Sequence, residues 1–169
     1  TCGYATTDFD LWPETSKMIL VLLMFIGACA GSTGGGFKIS RLLILCKAIP
    51  KQLSLVIHPR EVKVIRMDGK PIDHNTLRST NVYLAIYFFI LLVSTLLISV
   101  DNFNLTTNFT AVASTLNNIG PGLDGVGPTR NFGMYSDFSK FVLMFDMLAG
   151  RLELYPLLIL FMPSLWRRK

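Results

Sequence analysis

Apolar positions along this chain fall into long blocks, not the short amphipathic stripes of a water-soluble fold. Val82 to Val100 carries no charge and approaches the roughly 20 residues that cross a bilayer's hydrocarbon core, so it predicts a spanning helix. Phe141 to Met162 is a second long block, interrupted by Asp146, Arg151 and Glu153, which predicts a helix facing other helices or water on one side. The third block, Met18 to Cys46, is broken by Gly31-Ser32-Thr33-Gly34-Gly35-Gly36. Each interior glycine costs a helix roughly 1 kcal/mol relative to alanine, and four close together end it. In lipid a broken backbone survives only where protein buries it or where it lines a water-filled cavity. The pattern therefore predicts three crossings, one interrupted at mid-depth beside a pathway.

Composition agrees. The chain has 169 residues, 51% of them hydrophobic, with a mean hydropathy of +0.48, too apolar for an ordinary globular domain. Its net charge of +5 is distributed unevenly. Lys38, Arg41, Lys47, Lys51, Arg60, Lys63, Arg66, Lys70 and Arg78 crowd the connection between the glycine-broken block and the uncharged block Val82–Val100, and Arg167, Arg168 and Lys169 close the chain. Positive charge marks cytoplasmic segments, which puts residues 47–80 and the C-terminus inside and residues 1–17 and 101–139 outside. That connection lacks the aromatic interleaving of a nucleic-acid surface, and no nucleic-acid partner is expected. Asp68-Gly69 between Val62–Met67 and Pro71–Asp73 predicts a short hairpin there. Cys2, Cys29 and Cys46 show no paired spacing and read as buried small hydrophobes. His58 and His74 lack a metal-ligand pattern. The opening Thr1-Cys2-Gly3-Tyr4 lacks a leader pattern and is expected to belong to the C-terminal part of a longer protein.

About 40 residues separate Val82–Val100 from Phe141–Met162, too many for a tight turn and too apolar for a free loop. Part of this segment is expected to re-enter the membrane. Thr106-Thr107-Asn108 supplies candidate N-caps, and Phe109 to Leu116 predicts a short helix ending at Asn117-Asn118-Ile119-Gly120-Pro121-Gly122. A half-helix stopping at mid-depth aims its negative dipole end inward, which favours a cation. The freed backbone beyond it can turn carbonyls toward that ion, the logic of potassium-channel filters built on Thr-Val-Gly-Tyr-Gly. Thr1-Cys2-Gly3-Tyr4 has the Thr-x-Gly-Tyr core, and Asn118-Ile119-Gly120 holds the same place in a second unit. In both, a filter-like stretch is followed by an inward helix. Asn104-Leu105-Thr106 and Asn108-Phe109-Thr110 match glycosylation sequons, a pattern common by chance. No nucleophile, base and orienting group come together, and the glycine run lacks the Lys-Ser/Thr of a phosphate loop, so an enzyme is not expected.

Four motifs together, TCGYATTDF, GSTGGGFK, TLNNIGPGL and GRLELYP, resemble the Trk/Ktr/HKT superfamily of potassium transport proteins, specifically its TrkH/TrkG-type pore subunits. The resemblance covers nearly the whole chain. It implies an all-α membrane protein made of M1, pore helix, M2 repeats like those of potassium channels, with re-entrant filter loops and a broken inner helix. Residues 1–47 would be the third-repeat filter and its glycine-broken M2, 48–80 the cytoplasmic connection, and 81–169 the complete fourth repeat. The first two repeats and the start of the third would be missing partners from the same protein. Thr1, Cys2, Gly3 and Tyr4 would line one filter, and Asn118, Ile119 and Gly120 another, with carbonyls binding the transported K+ and no cofactor. Gly31, Ser32, Thr33, Gly34, Gly35 and Gly36 would form the gate, and Arg151 would project toward it. A guanidinium within a span needs partners, which loop carbonyls can supply. Asp146 and Glu153 would anchor helix packing. The resemblance further implies a homodimer, a TrkA-like cytoplasmic nucleotide-binding partner, and a multi-pass inner (plasma) membrane location with a cytoplasmic C-terminus. The alternative from the residues is a secondary transporter whose discontinuous helix binds substrate at mid-membrane.

Overall fold

The computed structural model describes residues 3–29, 31, 32, 34–58, 64–67, 70–152, 156 and 159. Its architecture is mostly helical: α1 (Glu14–Ile26), α2 (Ile39–Ile57), a hairpin of β1 (Arg66–Met67) and β2 (Lys70–Pro71), then α3 (His74–Ile98), α4 (Leu105–Leu116) and α5 (Asp137–Leu152).

The glycine-broken block becomes α1 and α2 with an irregular segment between them. α1 starts directly after Pro13, whose carbonyl accepts from the Ser16 and Lys17 N–H groups, and ends at Gly27, where φ is 70°. At 13 residues it rises about 20 Å, short of the hydrocarbon thickness. The two halves are stitched across the break: Phe37 N–H donates to the Phe25 carbonyl at 3.4 Å, and Ile39 N–H donates to the Ala28 carbonyl at 3.1 Å. α2 continues past Cys46 to Ile57 and carries Pro50 inside it, so the helix crosses the boundary expected at residue 47. Cys29 and Cys46 are free and exposed, contrary to their reading as buried hydrophobes. Both sit on outward faces of this broken element. Cys2 lies outside the described residues.

The expected hairpin forms, with Arg66 opposite Pro71 and Met67 opposite Lys70. Lys47 Nζ donates to the Arg66 carbonyl at 3.0 Å, tying the hairpin to α2. Among the described residues one helix, His74–Asp101, is long and apolar enough by itself to cross a membrane. It begins before Val82, because polar His74 to Asn81 continue the helix. Its buried residues Thr80, Tyr83, Tyr87, Leu91, Ser94 and Ile98 recur every three or four positions. Phe89, Leu92, Leu96 and Val100 stay exposed on the opposite face. The inward stripe of α3 is thus its more polar side, the inverse of a soluble helix.

α4 is the centre of the molecule. Its residues from Thr110 to Leu116 are all buried, enclosed by α1, α3 and α5. Three hydrogen bonds between side chains fix its surroundings: Tyr87 Oη donates to Asn117 Oδ1 at 2.8 Å, Tyr135 Oη to Asn108 Oδ1 at 3.0 Å, and Ser94 Oγ to Asp146 Oδ1 at 2.7 Å. In a lipid setting, where no hydrophobic drive acts between helices, close packing of small residues such as Ala111, Ala113 and Ser114 and such bonds, about 0.6 to 2 kcal/mol each, would hold this bundle together.

Candidate functional site

α4 begins at Leu105, so Thr106, Thr107 and Asn108 lie inside it and do not cap it. Their polar groups are used otherwise. Thr107 Oγ1 donates to Asp124, and Asn108 Nδ2 donates to the Phe103 carbonyl. The helix stops at Asn117 in a Schellman turn: Ile119 N–H reaches the Ser114 carbonyl at 2.9 Å, and Asn118 N–H the Thr115 carbonyl at 3.0 Å. Asn118 takes the left-handed position, φ 53°, which asparagine tolerates better than most side chains. That turn redirects Asn118, Ile119 and Gly120 away from the helix axis.

The returning chain is fastened to the threonines of α4. Leu123 N–H donates to Thr110 Oγ1 at 3.1 Å, and Gly125 N–H to Thr107 Oγ1 at 3.3 Å. Asp10 Oδ1 accepts from Asp124 N–H at 3.0 Å, linking the chain's first segment to this return. On that first segment, Gly3 meets the Asn118 stretch. Gly3 and Gly120 both have positive φ, 78° and 114°, and a methyl on either would come within 3.2 Å of the other's stretch. The structure therefore brings Gly3 together with Ile119, Gly120 and Pro121. Tyr4 beside it is exposed. Thr1, Cys2 and Thr33 lie outside the described residues.

The glycine run packs against the same turn. A methyl at Gly35 would collide with the Asn117 carbonyl, and one at Gly36 would lie 3.3 Å from Asn117 Oδ1 and 2.8 Å from Gly27 Cα. A methyl at Gly31 would meet nothing within 4 Å, and Ser32 Oγ accepts from Gly34 N–H at 3.1 Å. A cavity of about 460 Å³ opens among Gly3, Met24, Gly27, Gly35, Asn117 and Ile119. α5 closes on the turn from another side: Asn118 Nδ2 donates to the Met147 carbonyl at 3.2 Å, and a methyl at Gly150 would collide with the Leu116 carbonyl. Arg151 follows Gly150 in the last turn of α5 and is exposed. Asp146, fully buried, joins α5 to α3 through Ser94, a packing role; Glu153 is outside the described residues.

Asn117, Gly27 and Tyr87 are absent from the expected site residues, although Asn117 falls within the TLNNIGPGL motif. Asn117 stands one place before the filter-like stretch. Gly27 precedes the run, and the hydroxyl-bearing stripe of α3 is the signal that marks Tyr87.

The family of cation transport proteins named TrkH matches residues 1–168. The chain belongs to that family. It is 39% identical over 167 residues to the Trk system potassium uptake protein TrkH of Vibrio parahaemolyticus, covering 99% of this chain and 34% of that protein. It is 36% identical to TrkH of Escherichia coli over 167 residues, with the same coverage. Against the potassium uptake protein TrkG of Escherichia coli it is 33% identical over 165 residues, covering 98% of this chain and 34% of that one. The fold matches the crystal structure of the potassium transporter TrkH from Vibrio parahaemolyticus, with a TM-score of 0.86, 39% identity, and coverage of 98% of this chain and 35% of that chain. This TrkH-family chain thus spans about a third of the length of the relatives it matches, and the family makes it a membrane protein. Its relatives are named as transporters and not as enzymes.

Proposed function

We propose that this chain is the C-terminal part of a potassium uptake pore subunit that passes K+ through a filter gated by an intramembrane loop. Carbonyls of Thr1, Cys2, Gly3 and Tyr4, and of Asn118, Ile119 and Gly120, serve as ion ligands. The segment Gly31 to Gly36 is the gate, with Arg151 facing it from the last helix and repelling cations while the loop is closed. In this reading residues 1–47 are the filter and broken M2 of a third repeat, 48–80 a cytoplasmic connection and 81–169 a fourth repeat. Earlier repeats of the same protein complete the path. The subunit pairs as a dimer in the inner membrane, C-terminus inside, with a TrkA-like nucleotide-binding partner on the cytoplasmic face.

The observation that carries this reading is one convergence: at the end of a buried half-helix, Gly35 approaches the turn at Asn117 and Gly3 approaches the Ile119–Gly120 stretch that leaves it. The relatives' names as potassium uptake proteins support the choice of ion. The test is Gly120→Ser in the full-length protein. Gly120 has φ 114°, a conformation that L side chains rarely adopt, so serine should distort the carbonyl arrangement. The expected result is a reduced preference for K+ over Na+ in competed 86Rb+ uptake by cells lacking other potassium uptake. An unchanged preference removes the filter assignment.

A further inference from the structure

Tyr87 sits at a junction that the pore reading leaves unassigned. Its ring lies edge-on to Phe25 at 6.4 Å and tilted to Phe37 at 6.2 Å. Phe25 lies just before Gly27, where α1 ends, and Phe37 just after Gly36. The two are joined by the backbone hydrogen bond from Phe37 N–H to the Phe25 carbonyl. Tyr87 therefore packs against both sides of the break in the inner helix. Its hydroxyl reaches in a third direction, donating to Asn117 Oδ1 at 2.8 Å, with Tyr87 3% and Asn117 1% exposed. Asn117 in turn donates through Nδ2 to the Ala113 carbonyl at 2.8 Å, and it presents its carbonyl to Gly35 and Oδ1 to Gly36.

From this geometry we infer that Tyr87 is a positioning residue coupling the glycine loop to the turn that carries Asn118, Ile119 and Gly120. One side chain packs on the hinge of the broken helix and holds the amide that fixes the turn. A shift of the loop that moves Phe37 must displace the Tyr87 ring or break the bond to Asn117. A buried acceptor that loses its donor is costly, so the two movements are linked. The inference rests on the pore reading, in which the loop is the gate and the turn the filter.

Tyr87→Phe in the full-length protein keeps the ring and removes only the hydroxyl. Tyr135→Phe is its matched control: it removes an equivalent buried bond, to Asn108 in the first turn of the same α4, remote from the glycine loop. Folded yield and melting temperature in detergent report the structural cost, which should be similar for the two variants. Coupling energies of this kind change an equilibrium by about fivefold or more. Tyr87→Phe is accordingly expected to change the K+ over Na+ preference by about fivefold, with Tyr135→Phe leaving it unchanged. Equal effects of the two variants on the preference, or no effect of either, overturn the coupling. Should Tyr87→Phe not fold, Asn117→Ala, which removes the same bond from the other side, is put to the same comparison. Gly120→Ser, run in parallel, separates the two failures. If it alters the preference and Tyr87→Phe does not, the coupling fails and the pore reading stands; if it also has no effect, the pore reading fails as well.

Discussion

Asp124 holds a left-handed backbone, φ 56°, at the start of the return from the turn, and three partners gather on it. Its carboxylate accepts from Thr107 Oγ1 at 2.9 Å and Asn104 Nδ2 at 3.2 Å, while its N–H donates to Asp10. The Thr107 hydroxyl first, and the Asn104 amide next, hold its carboxyl below the usual carboxylate range. A carboxylate whose pKa is lower in the folded chain stabilises the fold above its unfolded value, about 3.9. That contribution is lost as pH falls through the folded value. Asparagine tolerates the same backbone, so Asp124→Asn isolates the charge. The wild-type protein should melt higher than this variant at pH 7, with the gap closing as pH falls below the unfolded carboxylate value. A gap of the same size at pH 7 and at acid pH, measured by thermal unfolding in detergent, excludes a stabilising role for the Asp124 charge.

At the scale of elements, the approach of the glycine loop to the end of α4 depends on a missing methyl. Gly35→Ala would drive its Cβ into the Asn117 carbonyl, and overpacking of this kind costs about 1 to 3 kcal/mol. The variant is expected to melt lower than the wild type, and an unchanged melting temperature would show that the loop does not rest on the turn. The existence of this broken element was legible because glycine's cost in a helix is local. Its extent was not. α2 runs through Lys47, Pro50 and Lys51, since interactions such as Lys47 with the Arg66 carbonyl lie across the chain and leave no periodic trace. α4 was placed correctly but begun too late. Thr106, Thr107 and Asn108 are good caps in water, yet inside a buried helix threonine hydroxyls can bond the carbonyl four residues back, as Thr110 does to Thr106 at 2.7 Å. The meeting of Gly3 with Gly120 is likewise tertiary: each peptide reads as a filter alone, and nothing in either names the other. Tyr87 was hidden in an almost uniformly apolar helix, visible only as one hydroxyl in a stripe spaced by threes and fours.

For the whole molecule, the exposed surfaces divide into two kinds. Phe89, Leu92 and Leu96 on α3 and Phe141 and Leu148 on α5 are apolar faces suited to lipid or to neighbouring repeats. Arg151, two turns beyond Met144 on α5, is an arginine within a block otherwise long enough to span. At the centre of a helix in lipid an arginine costs about 2.5 to 3.5 kcal/mol on insertion scales, so the assembled protein must give it water or acceptors. In the proposed reading the ion path would supply both, because its loop carbonyls could accept from the guanidinium. On that reading such a charge would also raise the barrier to K+ when the loop is closed. Arg151→Ala in the full-length protein should therefore raise 86Rb+ uptake under closed-state conditions by about fivefold, equivalent to roughly 1 kcal/mol, while leaving the K+ over Na+ preference intact. Uptake equal to the wild type would place Arg151 outside the gate and return it to helix packing. A gain accompanied by lost preference would place it at the filter, because a barrier below the turn can alter how many ions pass without altering which ones do.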